Sequence, residues 1–448
     1  MQAFFEAFAS NVQGYMLALL LTAAAVAVLA RPSITASYDP WAVQQVQTVF
    51  ASAAVVFMWM ANIIKPSLFV YHVAALGAFL YCAGMCYRLT IRTYYGARKV
   101  RPQALCSLRA IFLCLFVVSQ LSAWALGGIP LFLESRLNAF SSGGGIGVLS
   151  RIISFTSFAA LFLTVLRIGI STRKRVSFSD AFVLFFIILA SVANGSKTNI
   201  ILTLLLILTS NWIFRRVFHA YGPPSVSPKK LVVLALTLGA LVLVPVMVEQ
   251  LQVSEASVVG PFEALGVRLI LSGDGYMWMY GDNYLSAVRV DSPTALLFAD
   301  FLGVTRLVPW SQLPVHPGLQ IFQDLFPNSD AIRGPNLRVD AFGLLYGNIT
   351  FGVIFAATLG ALFGLLRAWL FKVWSAMFFL PASYLFFQSP TFMVDPLLGV
   401  TTLVNTAFAM VITGLAVSLV GRDPFGAGVK MRLRRVSSSI VSVRPTSI

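Results

Sequence analysis

Residues 249–340 open with Glu249-Gln250-Leu251-Gln252, pass through Ser272-Gly273-Asp274-Gly275-Tyr276 and Trp310-Ser311-Gln312-Leu313-Pro314-Val315-His316-Pro317, and close on Arg338-Val339-Asp340. This is the only long stretch of the 448 residues that reads neither as a membrane span nor as a basic connection. It holds ten of the sixteen acidic residues, five arginines, no lysine and one of the three histidines. Everything on either side reads as lipid-embedded helix, so chemistry at the membrane surface is expected here.

The flanking sequence sets the class. With 58% hydrophobic and 11% charged residues the chain is too apolar for a soluble domain, where charged residues make up about 25%. A crossing helix needs about 20 mostly apolar residues. Eleven such runs are centred near residues 21, 55, 77, 119, 161, 187, 206, 239, 354, 381 and 409. The expected fold is therefore an all-α polytopic membrane protein of about eleven transmembrane helices, with a long outer loop containing short helices. It divides into residues 1–248 (eight spans), 249–340 (the outer loop, a candidate lid over the site), 341–420 (three spans) and 421–448 (a basic, serine-rich tail read as disordered beside anionic lipid).

The net charge of +16 sits in short clusters beside apolar runs, which is the positive-inside pattern and not a nucleic-acid surface. Arg88 to Arg109, Arg173 to Arg175, Arg215 to Lys230, Arg367 with Lys372, and the tail all fall on one side if each run crosses once. The tail is then cytoplasmic, and residues 249–340 lie outside. Met1 to Asn11 lacks a basic leader, so no cleavable signal peptide is expected. A connection of this length should contain its own helices, and Ala295 to Gly303 and Pro317 to Leu325 are the candidates. Tyr276, Trp278, Tyr280, Tyr284 and Trp310 suit a membrane interface. The four cysteines have neither disulfide-framework nor zinc spacing.

Arginine on the outer side is informative because external loops are normally poor in positive charge. Arg136, Arg151, Arg268, Arg333 and Arg338 qualify, together with Lys197 in the polar break Asn194-Gly195-Ser196-Lys197-Thr198-Asn199. Guanidinium groups grip phosphate in a bidentate fork, so several converging on a cleft would bind a lipid diphosphate without a metal. The alternative is that each pairs with a loop carboxylate or a lipid headgroup. Arg333 and Arg338 are expected at headgroup level. Asp274 beside apolar surface is a candidate general base for a sugar hydroxyl, or else a turn residue between glycines. His316 is the second candidate base, or an idle loop histidine. Asp282, Asn283 and Tyr276 could contact sugar, and Asp282-Asn283 could equally cap a turn. Gly343-x3-Gly347 and Gly360-x3-Gly364 read as helix-packing features.

The chain has no Walker loop, His-Glu-x-x-His, Gly-x-Ser-x-Gly elbow or dinucleotide fingerprint, so no cofactor or metal is expected. Acids are nearly missing from the apolar runs, which weighs against an ion-coupled transporter.

Four stretches resemble the bacterial oligosaccharide repeat-unit polymerases of the Wzy type: Arg136-Leu137-Asn138 with the Gly/Ser-rich run to Arg151; Asn194 to Asn199; the long loop with Val308-Pro309-Trp310; and Arg338 leading to Phe342-Gly343-Leu344-Leu345-Tyr346-Gly347-Asn348. The resemblance covers about Ile129 to Leu366. It implies a metal-independent glycosyltransferase of the bacterial inner membrane, acting on the periplasmic side. The implied donor and acceptor are undecaprenyl-diphosphate-linked oligosaccharides, with membrane lipids and a chain-length regulator protein as partners and no nucleic acid. Where relatives often carry arginine this chain has Lys197, which keeps the charge and loses the fork. A glycan-to-lipid-A ligase would share the donor, and a lipid-glycan flippase is the reading from another class.

Overall fold

Proline or a side-chain cap starts most of the long helices. The structure, a computed structural model, describes residues 1–36, 39–91, 93–96, 100–132, 146–171, 176–194, 197–217, 261–328, 334–373, 375–425 and 429–432. Helices α1 (Gln2–Ser10) and α2 (Val12–Ala30) are followed by α3 (Pro40–Met60), where Pro40 supplies the preset first turn and Asp39 accepts from the Trp41 N–H. Next come α4 (Pro66–Thr90), strand β1 (Thr93–Gly96), α5 (Pro102–Gly127) and α6 (Ile146–Ile170). A reciprocal Ser177–Asp180 capping box opens α7 (Phe178–Ala193), and α8 (Lys197–Val217) follows it.

The described part of the long segment begins with α9 (Pro261–Ile270) and contains α10 (Pro293–Leu297), α11 (Ala299–Val304) and α12 (Pro317–Leu325). Short helices thus lie where Ala295–Gly303 and Pro317–Leu325 were expected. Helix α13 (Val339–Leu345) leads into α14 (Ile349–Trp369), α15 (Ala376–Gln388), α16 (Pro396–Val420) and strand β2 (Val429–Arg432).

Among the described residues seven helices are long and apolar enough to cross a membrane. Ten of the eleven expected runs coincide with helices; the run centred on 239 lies outside the described residues. Three of the ten are short: α7 has 16 residues, α15 has 13 with Pro381 inside, and the apolar part of α8 is Leu202–Phe214. Against the roughly 20 residues a crossing needs, seven is the number of crossings the described helices carry by length and composition.

Described basic residues that flank the spans are held by contacts between elements. Arg109 on α5 and Arg167 on α6 both pair with Asp180 at the start of α7. The Arg88 Nε–H donates to the Pro32 carbonyl, and the Arg101 N–H to the Pro424 carbonyl. The tail expected to be disordered contributes order here, since β2 pairs antiparallel with β1 and Phe425 bridges Val100. Arg367 corrects its own reading as a loop charge. It is fully buried, paired with Asp39, and its guanidinium lies 4.1 Å from the Phe386 ring.

Close helix approach is built on small residues. A Cβ on Gly360 would meet the Phe79 carbonyl oxygen at 2.3 Å, and one on Gly364 the Ala83 carbonyl oxygen at 2.4 Å. These two glycines seat α14 against α4, as the small-residue spacing predicts. Gly343 likewise faces Gly352 and Tyr71, whereas Gly347 contacts only its neighbour Phe351.

Acids nevertheless lie buried against the apolar runs. Asp39, Asp180, Asp340 and Asp395 flank apolar runs in sequence, but all four are buried. Each stands at or within two residues of a helix start, and the fold encloses it beside neighbouring spans.

Candidate functional site

The segment after α9 turns inward. A 3-10 turn (Leu271–Gly273), one α-turn (Asp274–Tyr276) and one π-turn (Met277–Gly281) run along the alanine face of α3. Gly273 is needed there because a Cβ would stand 3.0 Å from Ala54 and 3.2 Å from the Ala51 backbone. Gly275 is needed for the crossing chain, since its Cβ would meet the Asn336 carbonyl oxygen at 2.5 Å. Residues 334–338 therefore pass directly over the inserted turns. Tyr276, Met277, Met279, Tyr280, Leu337, Ala341 and Phe342 share one buried apolar cluster with α3.

Arg338 is carried inward with this crossing. It is 6% exposed, and its guanidinium reaches Thr48 Oγ1 at 3.4 Å and the Gln47 and Ser272 carbonyls at 3.4 and 3.5 Å. Thr48 lies eight residues into α3, about 12 Å from the Pro40 end and about 18 Å from the Met60 end. Arg338 is thus packed against the middle of α3 and is not exposed on a loop. Its three hydrogen bonds are long and go to neutral oxygens. Among the described residues no carboxylate lies within ion-pair distance of it, although Asp274 is near enough to feel its charge.

Asp340, two residues on, is 4% exposed and surrounded by donors. The Tyr276 hydroxyl donates to Oδ1 at 2.6 Å and the Tyr280 hydroxyl to Oδ2 at 3.2 Å. His72 Nδ1 meets Oδ2 at 2.6 Å, and the Tyr71 hydroxyl donates to the Asp340 carbonyl at 2.6 Å. Burial pushes the Asp340 carboxyl up, but the adjoining His72 and the bonds from His72 and Tyr276 outweigh it and hold the group below its ordinary range. Burial, and then the Asp340 charge, raises both Tyr276 and Tyr280 well above the ordinary phenol value, so both remain donors. The π-turn brings these two tyrosines, four apart, onto one carboxylate.

A small cavity, with room for about one water molecule, opens among Tyr276, Arg338, Asp340, Phe79 and Met393. Asp274 lies beside it in sequence but does not line it. Its Oδ1 accepts from the Gly275 N–H at 2.7 Å. Burial pushes its carboxyl up to about 6, moderated by that bond and by the charges of Arg338 and Arg268.

The other expected site residues are dispersed. Arg268 is exposed on the last turn of α9. Arg151 follows the bland reading, holding Asp300 of α11 and Asn405 of α16, each at 2.5 Å. Asp282 pairs with the Met1 amino group, and Asn283 takes a left-handed turn conformation (φ 59°), away from Tyr276's carboxylate partner. Arg136 and Arg333 lie outside the described residues, as does the Lys197 side chain at the start of α8. His316 is a helix cap: its Nδ1 accepts from the Gly318 N–H at 3.0 Å, which leaves Nε2 to donate to Asp395 at 3.0 Å.

Sequence reasoning missed His72 and Asp340. Asp340 closes the long loop in sequence, and His72 lies within the apolar run centred near residue 77. An ionisable residue inside an apolar run was the available signal, but its partner stands 268 residues away. Comparison with protein-family models, with curated proteins and with solved structures finds no match to this chain.

Proposed function

We propose that the chain is a membrane glycosyltransferase that takes a glycan from undecaprenyl diphosphate and joins it to the hydroxyl of a second lipid-linked oligosaccharide. The observation that carries this reading is Arg338, a buried guanidinium with no described carboxylate to neutralise it. Removing a charge from water costs several kcal/mol unless a partner compensates. A diphosphate is the partner whose oxygens fit the guanidinium fork.

In the reaction the acceptor O–H bond breaks and a bond forms between that oxygen and the anomeric carbon. The bond from that carbon to the diphosphate oxygen breaks, and its electron pair leaves with the diphosphate. Arg338 stabilises the charge that develops on the leaving group, and Arg268 adds to the same field. Asp274, close enough to Arg338 and Arg268 to feel both charges, takes the acceptor proton; with its carboxyl pushed up to about 6 by burial it is ionised at neutral pH. His316 is set aside as base, because both ring nitrogens are already bonded.

The test is polymer formation by the purified chain, reconstituted in liposomes with lipid-linked oligosaccharide and read on a gel. Arg338→Ala abolishes product, and Arg268→Ala reduces it. Normal product from Arg338→Ala overturns the proposal. A lipid-glycan flippase is the second reading, and what favours it is ionisable groups buried against the spans in the Asp39–Arg367 and His72–Asp340 pairs. Translocation of the same lipid in liposomes without acceptor would establish that activity instead.

A further inference from the structure

We infer that Asp340 and His72 form the positioning pair of the anion site: the ionised carboxylate ties the inserted turns to α4 and thereby fixes where Arg338 stands. The inference rests on the reading of Arg338 as a diphosphate ligand and adds residues which that reading does not use.

Three elements meet on one side chain. The inserted turns contribute Tyr276 and Tyr280, α4 contributes His72, and Asp340 itself opens α13. Tyr71, beside His72, holds the Asp340 backbone. Only Val339 separates this knot from Arg338, whose own hydrogen bonds, at 3.4 to 3.5 Å, are too long to hold a buried guanidinium in place. The orientation of Arg338 is therefore set through the chain by its neighbour.

The charge arrangement fits a device for holding an anion. Asp340 is too heavily bonded to be a ready proton acceptor, and its carboxylate is not directed at the guanidinium as an ion-pair partner. His72, 1% exposed, has its Nδ1 on Asp340 and its ring edge-on to Tyr276 at 5.0 Å. Its Nε2 has no partner among the described residues. The titratable and charged groups around the carboxylate are His72 and Tyr71 from α4, Tyr276, Tyr280 and Asp274 from the inserted turns, and Arg338 from the crossing chain.

Two roles for Asp340 predict opposite signs. A mere counter-charge opposes anion binding, so Asp340→Asn would tighten it. A positioning residue supports binding, and misplacing a ligand by about 1 Å is enough to cost about a hundredfold in rate.

The experiment is titration of undecaprenyl diphosphate into the purified full-length chain in detergent micelles, followed by tryptophan fluorescence from mildly acid to mildly alkaline pH. Asp340→Asn is expected to weaken binding at least about tenfold. His72→Leu should match wild type at alkaline pH and fall behind as pH drops, because losing His72 lets the Asp340 carboxyl titrate within the range. Tyr276→Phe, which keeps the ring and removes one donor, should show the same trend more weakly and serves if His72→Leu fails to fold. Tighter binding by Asp340→Asn, or a variant-to-wild-type affinity ratio that is flat with pH for both other variants, overturns the inference. Arg338→Ala is the control. If it binds normally the diphosphate reading itself falls; if it loses binding while the Asp340, His72 and Tyr276 variants do not, only the positioning pair falls.

Discussion

Two histidine–aspartate pairs use the same side chains for opposite ends. His316 and Asp395 are joined through Nε2 and Oδ2 at 3.0 Å, and each also caps a helix: His316 accepts from Gly318 at the start of α12, and Asp395 accepts from Leu397 at the start of α16. The His316 side chain is 35% exposed, and every nitrogen is used. His72 and Asp340 are joined through Nδ1 and Oδ2 at 2.6 Å, both buried, with two tyrosines on the same carboxylate and Nε2 left over. The first pair finishes local structure. The second gathers donors from two further elements onto one carboxylate with neither member capping a helix through its side chain, and it stands beside an arginine that no described carboxylate neutralises.

The contrast is most open to breakage through stability. Asp340→Ala strands a buried imidazole and two buried phenols and should cost about 3–5 kcal/mol, the usual result of removing one member of a buried pair. Asp395→Ala loses a cap and one bond to a half-exposed ring, about 1–2 kcal/mol. Denaturation midpoints in mild detergent would measure both, and equal losses would erase the distinction.

Asp274 sharpens the same comparison by supplying a carboxylate with one backbone donor where Asp340 has three side-chain donors. Its carboxyl is raised in the fold to about 6 from an ordinary 3.8. A raised acid stabilises the fold while protonated, and that contribution fades as pH climbs through the interval between the two values. Asp274→Asn should therefore stabilise the protein at neutral pH by on the order of 2 kcal/mol, with the gain shrinking as pH falls below about 6. Asp340, held low, runs the other way: its contribution is complete at neutral pH and is lost only in strong acid. Melting midpoints of Asp274→Asn and wild type that stay parallel with pH would contradict this. In the liposome assay, product formation should fall as pH drops through about 6, since Asp274 must be ionised to take a proton.

What was legible in the sequence followed range of interaction. The long helices were readable because about 20 apolar residues in a row are a local property. Pro317–Leu325 was readable because a proline starts it and an apolar face follows. Arg338 was legible as an outer arginine but its burial was not, because Gly273 and Gly275 permit an inward crossing that charge alone does not reveal. His72 was hidden by its own surroundings, Phe69-Val70-Tyr71-His72-Val73, which read as span. Nothing near it in sequence points to Asp340. Arg367 failed in the other direction: its place near a helix end imitates a basic connection, while Asp39, 328 residues earlier, buries it.

The smallest effect belongs to His316, and it decides whether that pair is only a cap. Asparagine is a good N-cap with an oxygen able to accept from the Gly318 N–H, but it is too short to span the 3.0 Å contact that His316 Nε2 makes with Asp395. His316→Asn should therefore retain the start of α12 and lose one bond to a partly exposed partner, about 1 kcal/mol. Its product yield in the liposome assay should stay within about twofold of wild type, since about 0.4 kcal/mol separates rates by that factor. His316→Ala, which forfeits the cap as well, should melt lower than His316→Asn and still form product. Loss of product from His316→Asn without loss of stability would move the proton acceptor to His316, and the two pairs would then differ in the reverse sense from the one drawn here.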